Sequence, residues 1–222
     1  MVRDGIYYFL GFAVAGIFVA ATLSPGYAIP FFVLAAFCGW FFRDPERPLP
    51  AGPFVLSPAD GLVVAVVPEE GRTRISIFLN IFDVHVNRAP ISGIITDITY
   101  QKGLFLVASR EDATARNEQN FFTIRASDGT TIMFSQIAGL IARRIVCYKK
   151  IGDFVQAGER VGLIKFGSRV DVFLGPEWHL QVKPGMRVSA GSSVLAQRAG
   201  EVVLQDELPA TAVVKEAAWQ TS

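Results

Sequence analysis

The chain has 222 residues, enough for one domain or one domain with an appendage. It is 51% hydrophobic and 18% charged, with 21 Lys+Arg against 20 Asp+Glu for a net charge of +1. Soluble domains carry about 25% charged residues, so the chain is short of charge, which excludes a disordered chain, while the near-neutral balance excludes a global basic field for nucleic acid.

The deficit sits at the N-terminus. From Gly5 to Phe42 no charged residue occurs, and Arg3-Asp4 and Arg43-Asp44 bracket the run. Ser24-Pro25-Gly26 is a turn signal dividing it into Ile6–Leu23 and Tyr27–Phe42. A spanning helix takes roughly 17–25 apolar residues. The first segment just qualifies; the second is shorter and carries Pro30 near its start. Tyr7, Tyr8, Tyr27, Trp40, Phe41 and Phe42 lie near the segment ends, as interfacial aromatic belts do. Three readings are open. A cleaved signal peptide would lead into a polar mature start, whereas a second apolar run follows. A buried soluble hairpin is the plain alternative. A membrane hairpin, spanning or shallowly embedded, accounts best for the run and puts Arg43, Arg47 and the polar body on the cytoplasmic side of the cell membrane. Cys38 and Cys147 are the two cysteines; lying in unrelated surroundings, they fit a reducing cytosol and make a zinc site an unattractive reading.

Pro45, Pro48, Pro50 and Pro53 mark an extended connector. Short β-branched and aromatic runs separated by turn residues then predict strands at Gly61–Val67, Thr73–Asn80, Gly93–Tyr100, Phe121–Ala126, Thr130–Gln136, Arg144–Tyr148, Arg160–Phe166 and Val170–Leu174. A helix is expected over Gln136–Arg144. Gly152–Val161 (GDFVQAGERV) and Gly185–Val194 (GMRVSAGSSV) repeat the pattern G-x-x-V-x-A-G-x-x-V, with glycine at a turn and valine in the core, and resemble the hammerhead halves of lipoyl-type β structure. The fold class is mainly β (α+β), a β-sandwich or partly closed barrel with lipoyl-like hammerhead repeats, preceded by an apolar helical hairpin. The division is a hairpin over residues 1–42, a β-rich body over 43–204 and a polar tail over 205–222.

The common nucleotide cradles, G-x-x-x-x-G-K-[ST] and G-x-G-x-x-G, are missing, as are H-E-x-x-H and G-x-S-x-G. His85 lies in IFLNIFDVHVNRAP (Ile77–Pro90), where Asp83, His85 and Asn87 alternate and share a face if the segment is extended. Arg88 follows, with a planar fork suited to an anion. His179, after Trp178, reads as an ordinary loop residue. Asp60 in Ser57-Pro58-Ala59-Asp60-Gly61 is either a turn carboxylate or one held rigidly at a strand mouth. Gly-Ser bonds at Gly167-Ser168 and Gly191-Ser192 are turns on their face.

Taken together, FFRDPER (Phe41–Arg47), SPADG (Ser57–Gly61), IFLNIFDVHVNRAP, NEQN (Asn117–Asn120), QIAGLIARRIV (Gln136–Val146) and FGSRVDVF (Phe166–Phe173) resemble the phosphatidylserine decarboxylase proenzymes, specifically a short branch, over roughly residues 41–195. The resemblance implies autocatalytic cleavage of a Gly-Ser bond. The serine hydroxyl attacks the glycine carbonyl, the ester eliminates, and the new N-terminus becomes a pyruvoyl cofactor that forms a Schiff base with the lipid's serine amine. Gly167-Ser168 fits, being followed by Val170, Val172, Phe173 and Gly175-Pro176, whereas Gly191-Ser192 falls in the repeat opposite Gly158-Glu159. The implied products are a β chain of residues 1–167 and an α chain of 168–222, forming a heterodimer. His85 is the implied proton donor to the carbanion, its ordinary poise near pH 7 suiting the task. Asp60 matches the family's Asp of an Asp-His-Ser cleavage set, but Arg88 stands where its His belongs. Either His85 serves both steps, or Asp60 and Asp83 act with a water, and Arg88 stabilises an oxyanion or the lipid phosphate. No metal is implied. Phosphatidylserine and the bilayer are the implied partners, in phospholipid biosynthesis; the oligomeric state, a homo-oligomer included, stays open. Two other classes remain: a membrane-anchored adaptor needing no cleavage, and a serine hydrolase using Asp60, His85 and Ser168.

Overall fold

The computed structural model describes residues 1–69, 71–106, 116–139, 145–165 and 167–198. The polar-tail expectation lies outside them. The uncharged run folds into two packed helices, α1 (Arg3–Thr22) and α2 (Pro25–Phe41). Ser24 caps α2 by accepting a hydrogen bond from the Gly26 N–H, and Pro25 occupies the first turn, where a missing N–H costs nothing. Gly16 gives the close approach: a Cβ there would stand 3.1–3.2 Å from the rings and Cβ of Phe31 and Phe32. The chain ends of the pair are tied by the Val2 N–H donating to the Phe42 carbonyl, 3.0 Å. Val14, Ile17, Phe18, Tyr27 and Val33 all face outward. The hairpin is therefore not the buried element of a soluble core. Helix α1 is long and apolar enough to cross a membrane; α2 is shorter.

The body follows in chain order as β1 (Phe54–Leu56), β2 (Gly61–Glu69), β3 (Arg72–Leu79), β4 (Val86–Arg88), β5 (Gly93–Gln101), β6 (Gln119–Arg125), β7 (Thr131–Ile137), β8 (Ile145–Cys147), β9 (Phe154–Val155), β10 (Arg160–Ile164), β11 (Ser168–Leu174), β12 (Trp178–Leu180), β13 (Arg187–Val188) and β14 (Val194–Arg198). An eight-stranded sheet runs β13-β2-β3-β11-β7-β6-β5-β9, with small sheets β1-β14-β12 and β4-β10-β8. Alternation builds the core. On β11, Val170, Val172 and Leu174 face inward beside Ile75 and Ile77 of β3 and Phe134 of β7, all fully buried. Phe122 stacks on Phe134 with ring centres 4.8 Å apart. The opposite face of β11 is charged and also buried: Arg169 chelates Asp171 with both bonds at 2.7 Å, and Arg74 donates to Ser76.

Every strand expected from sequence forms, with ends displaced by at most two residues. Strands β1, β4, β9, β12, β13 and β14 were not expected. The helix expected over Gln136–Arg144 is corrected: Gln136 and Ile137 complete β7 because their backbone pairs with Asn120 and Gln119 of β6 and with Val170 and Arg169 of β11, and residues 140–144 lie outside the described residues. The sequence repeat is a repeat of backbone. Gly152 and Gly185 both have φ +92°, and Gly158 and Gly191 have φ +78° and +75°. Its strands, β9 and β13, sit at the two edges of the large sheet, yet a Cβ on Gly191 would stand 3.3 Å from the Gly158 Cα. The turns beyond the two edges thus touch, and the sheet curls into a half-barrel.

Candidate active site

Gly167 has φ +57°, a left-handed conformation that an L-residue adopts only with strain. Ser168 follows as the first residue of β11, the fourth strand of the eight, opposite Leu79 of β3. By alternation its side chain shares the inward face with Val170. Ser168 has no exposed surface, and its Oγ has no hydrogen-bond partner among the described residues. Such enclosed, unpartnered polar atoms are uncommon in folded proteins.

Two contacts tie His85 to the segments that flank Ser168 in sequence and across the strand pair. Its carbonyl accepts from the Ile164 N–H, just ahead of the Gly167-Ser168 bond. On its other flank, the Asp83 carboxylate accepts from the Asn80 N–H, next to Leu79, and the His85 Nδ1 is bonded to the Asp83 carbonyl at 2.9 Å. A carbonyl only accepts, so Nδ1 carries the proton and Nε2 presents a lone pair. That Nε2 is enclosed and without a partner among the described residues. The Phe41 ring lies 4.5 Å from the imidazole, centre to centre, so the base of the hairpin forms a wall of the site. Phe41, Phe42, Val2 and Cys38 close it with Val84, Val86 and Leu163 of the body. Burial lowers the His85 pKa from 6.5 to about 4; Arg43 adds to the fall, while the Asp83 carbonyl and the charge of Asp60 oppose it. His85 is therefore neutral at pH 7, not the group poised near neutrality that its sequence suggests.

The remaining expected residues are held in support. Asp60 receives two bonds from Arg47, 2.5 and 2.7 Å, and one from the Ala190 N–H, 2.8 Å. It clamps the proline-rich connector to the second repeat and acts on His85 through space alone. The Asp83 carboxylate is paired with Arg187, and its carbonyl orients the imidazole. Only Val86–Arg88 is strand here, so the shared extended face expected for Asp83, His85 and Asn87 is replaced by a turn at Asp83. Arg88 donates to Asp44 at 2.6 Å and to the Gly158 carbonyl at 2.9 Å, which leaves its fork facing the connector and a repeat turn. This geometry gives no support to an oxyanion or phosphate role. His179 is an exposed residue of β12, and Gly191-Ser192 lies in a repeat turn.

Sequence reasoning missed a row of carboxamides. The Asn120 Nδ2 faces the Gln136 Oε1 at 3.4 Å, and the Gln136 Nε2 donates to the Asn87 Oδ1 at 2.8 Å, leaving the buried Asn87 Nδ2 without a partner. Gln136, the middle of the row, is the strand partner of Val170, one alternation from Ser168. The signal in the sequence was the amide pair in NEQN together with the Asn alternating with His85.

The profile of the phosphatidylserine decarboxylase family matches residues 34–196, which spans the hairpin base, His85 and the Gly167-Ser168 bond. The chain belongs to that family. It is 60% identical over 198 residues to a phosphatidylserine decarboxylase proenzyme of Solibacter usitatus, covering 89% of this chain and 97% of the relative. It is 44% identical over 202 residues to the proenzyme of Burkholderia multivorans, covering 88% and 94%, and 42% identical over 202 residues to that of Syntrophus aciditrophicus, covering 87% and 95%.

Proposed function

We propose that the chain decarboxylates phosphatidylserine to phosphatidylethanolamine and CO2, after cutting itself between Gly167 and Ser168. The observation that carries this reading is the enclosed Ser168 hydroxyl, unpartnered among the described residues beside a left-handed glycine, together with the equally unpartnered Nε2 of a histidine bonded to Ile164, four residues upstream. In the cut, His85 takes the hydroxyl proton as Oγ attacks the Gly167 carbonyl, and the C–N bond gives way to an ester. Loss of the Ser168 Cα proton then breaks the Oγ–Cβ bond and frees the Gly167 carboxylate. The resulting enamine takes up water and releases ammonia. Asp60 favours the imidazolium formed on the way, and we assign the buried Asn87 Nδ2 as the donor to the oxyanion.

The residues fit the pyruvoyl group the family implies, since Ser168 itself is its source and is already held on a central strand. Once formed, that group supplies a carbonyl that takes up the electrons released as CO2 leaves. The cut frees the chain end at Gly167 and admits water and an anionic headgroup, so the His85 pKa climbs back from about 4 toward 6.5. His85 then has a proton to return to carbon. The α chain stays bound after cleavage because β11 lies between β3 and β7, β13 pairs β2, and β14 pairs β1. We read the touching repeat turns as lipoyl-type hammerheads, the body as residues 43–204, and the hairpin as a membrane anchor with the body on the cytoplasmic side. Arg3, Arg43 and Arg47 all lie at the hairpin's body end, which supports that sidedness.

Intact-mass analysis tests the reading. Wild type is expected as two chains, 1–167 and 168–222, with a carbonyl at the second N-terminus, and Ser168→Ala as one. A single full-length chain in folded, mature wild-type protein would overturn it and return the adaptor and hydrolase readings.

A further inference from the structure

The turn between β3 and β4 puts two large apolar side chains in the open. Phe82 is 70% exposed and Ile81 is 40% exposed, whereas Phe122 and Phe134 of the same body are fully buried. The exposure is built in. The Phe82 N–H donates to the Asn80 Oδ1 at 2.7 Å, the Asp83 N–H to the Asn80 carbonyl at 3.1 Å, and the Asn80 N–H to the Asp83 Oδ2 at 2.9 Å. A three-way pinned turn between strands ordinarily presents polar residues. This one presents Ile and Phe beside the Asp83 and His85 pair.

The turn is also fixed to the hairpin. Trp40 of α2 meets Phe82 edge-on with ring centres 6.0 Å apart. The Arg43 guanidinium lies 4.5 Å from the Trp40 ring centre and donates to the Phe82 carbonyl at 2.5 Å. The apolar outer surface of the helices therefore continues through Trp40 onto the turn. It ends at a cation and an indole, the side chains that mark a membrane–water interface. We propose that the Asn80–Asp83 turn is a second membrane contact. It plants Phe82 and Ile81 in the lipid interface next to the site, so that an anionic phospholipid headgroup reaches His85 while its acyl chains stay in the bilayer. The occupant is a bilayer because the patch is continuous with α2, which packs along α1, a helix about 30 Å long matched to a hydrocarbon core of about 30 Å, and because it is edged by positive charge.

This inference rests on the decarboxylase reading only for its second assay. In the first, full-length Phe82→Cys in a Cys147→Ser background carries a nitrobenzoxadiazole label. With vesicles of phosphatidylcholine and phosphatidylserine, emission should rise at least twofold and shift to the blue, while the same label on Thr131→Cys does not respond. Ile81→Cys repeats the measurement should the Phe82 variant fold poorly. No response at either turn position in protein that co-floats with the vesicles would overturn the proposal. So would brightening that depends on protein concentration without lipid, which would assign the patch to a second copy of the chain. In the second assay, Phe82→Ser should raise the ratio of KM for vesicle phosphatidylserine to KM for a monomeric short-chain analogue at least fivefold; an unchanged ratio counts against it. Absence of turnover on both substrates in wild type would instead sink the decarboxylase reading and leave the label to decide this one.

Discussion

At the residue scale, the site is governed by two conformations that side-chain identity alone does not impose. Gly167 sits at φ +57° with nothing within 4 Å of a would-be Cβ, so alanine there meets strain but no clash. Gly167→Ala in the uncut Ser168→Ala chain is expected to lose about 1–2 kcal/mol, read by urea unfolding in mild detergent. His85 is depressed from 6.5 to about 4. Protonation favours the unfolded chain, where the pKa stays near 6.5. Stability contributed by the neutral form is intact above 6.5, declines as pH falls through the window, and stops declining below about 4. The loss is about 3 kcal/mol. His85→Gln in the same background should unfold with that acid-dependent loss removed between pH 6.5 and 4.5; an identical slope would mean the imidazole is not the titrating group.

At the element scale, the connector and the second repeat meet through Arg47, which donates to the Asp60 carboxylate and to the Ala190 carbonyl at 3.0 Å. Arg47 and Asp60 are largely buried, at 16% and 12% side-chain exposure. Removing either leaves the other charge uncompensated, at a cost of about 2–4 kcal/mol, toward the lower end for a buried pair because both edges touch water. Arg47→Ala and Asp60→Ala should each destabilise by this amount, and the double mutant by well under their sum, with a coupling of about 1–3 kcal/mol. Additive losses in the cycle would show that the clamp works through separate contacts. Asp60→Asn keeps an acceptor for the Ala190 N–H but removes the charge that favours a protonated His85. It is expected to fold and to cut itself more slowly, measured as the half-time of chain separation on a denaturing gel.

At the scale of the whole molecule, the hairpin and the body share the site. Phe41 covers the imidazole, and Lys165, three residues before Ser168, lies 3.3 Å from the Tyr8 hydroxyl and 4.9 Å from the centre of its ring. The N-terminal helices are thus part of the enclosure that lowers the His85 pKa. Phe41→Ala should let water in and raise that pKa toward 6.5, observed as a shift of the histidine ring resonances in an NMR titration of the Ser168→Ala chain. No shift would mean that the body alone desolvates the ring.

The sequence by itself determined whatever depends on local pattern. An uncharged run with a Ser-Pro-Gly break gives two helices, because no packing partner is needed to see a missing charge. Alternating β-branched runs give strands such as β3, β7 and β11, because the period of two is written in consecutive residues. The pairing of FGSRVDVF with the Asp-x-His block marked Ser168 and His85. The short strands, β4, β9 and β13 among them, were illegible because two or three residues become strand only when a distant partner supplies their hydrogen bonds. The helix expected at Gln136 lost to the same force. Only the tertiary structure decided that Asp60 answers to Arg47, that Arg88 answers to Asp44, and that a row of amides runs from Asn120 through Gln136 to Asn87. It also decided that His85 is buried deeply enough to be a neutral base. Charge partners and desolvation are properties of what surrounds a group in space, and sequence separation carries no record of them.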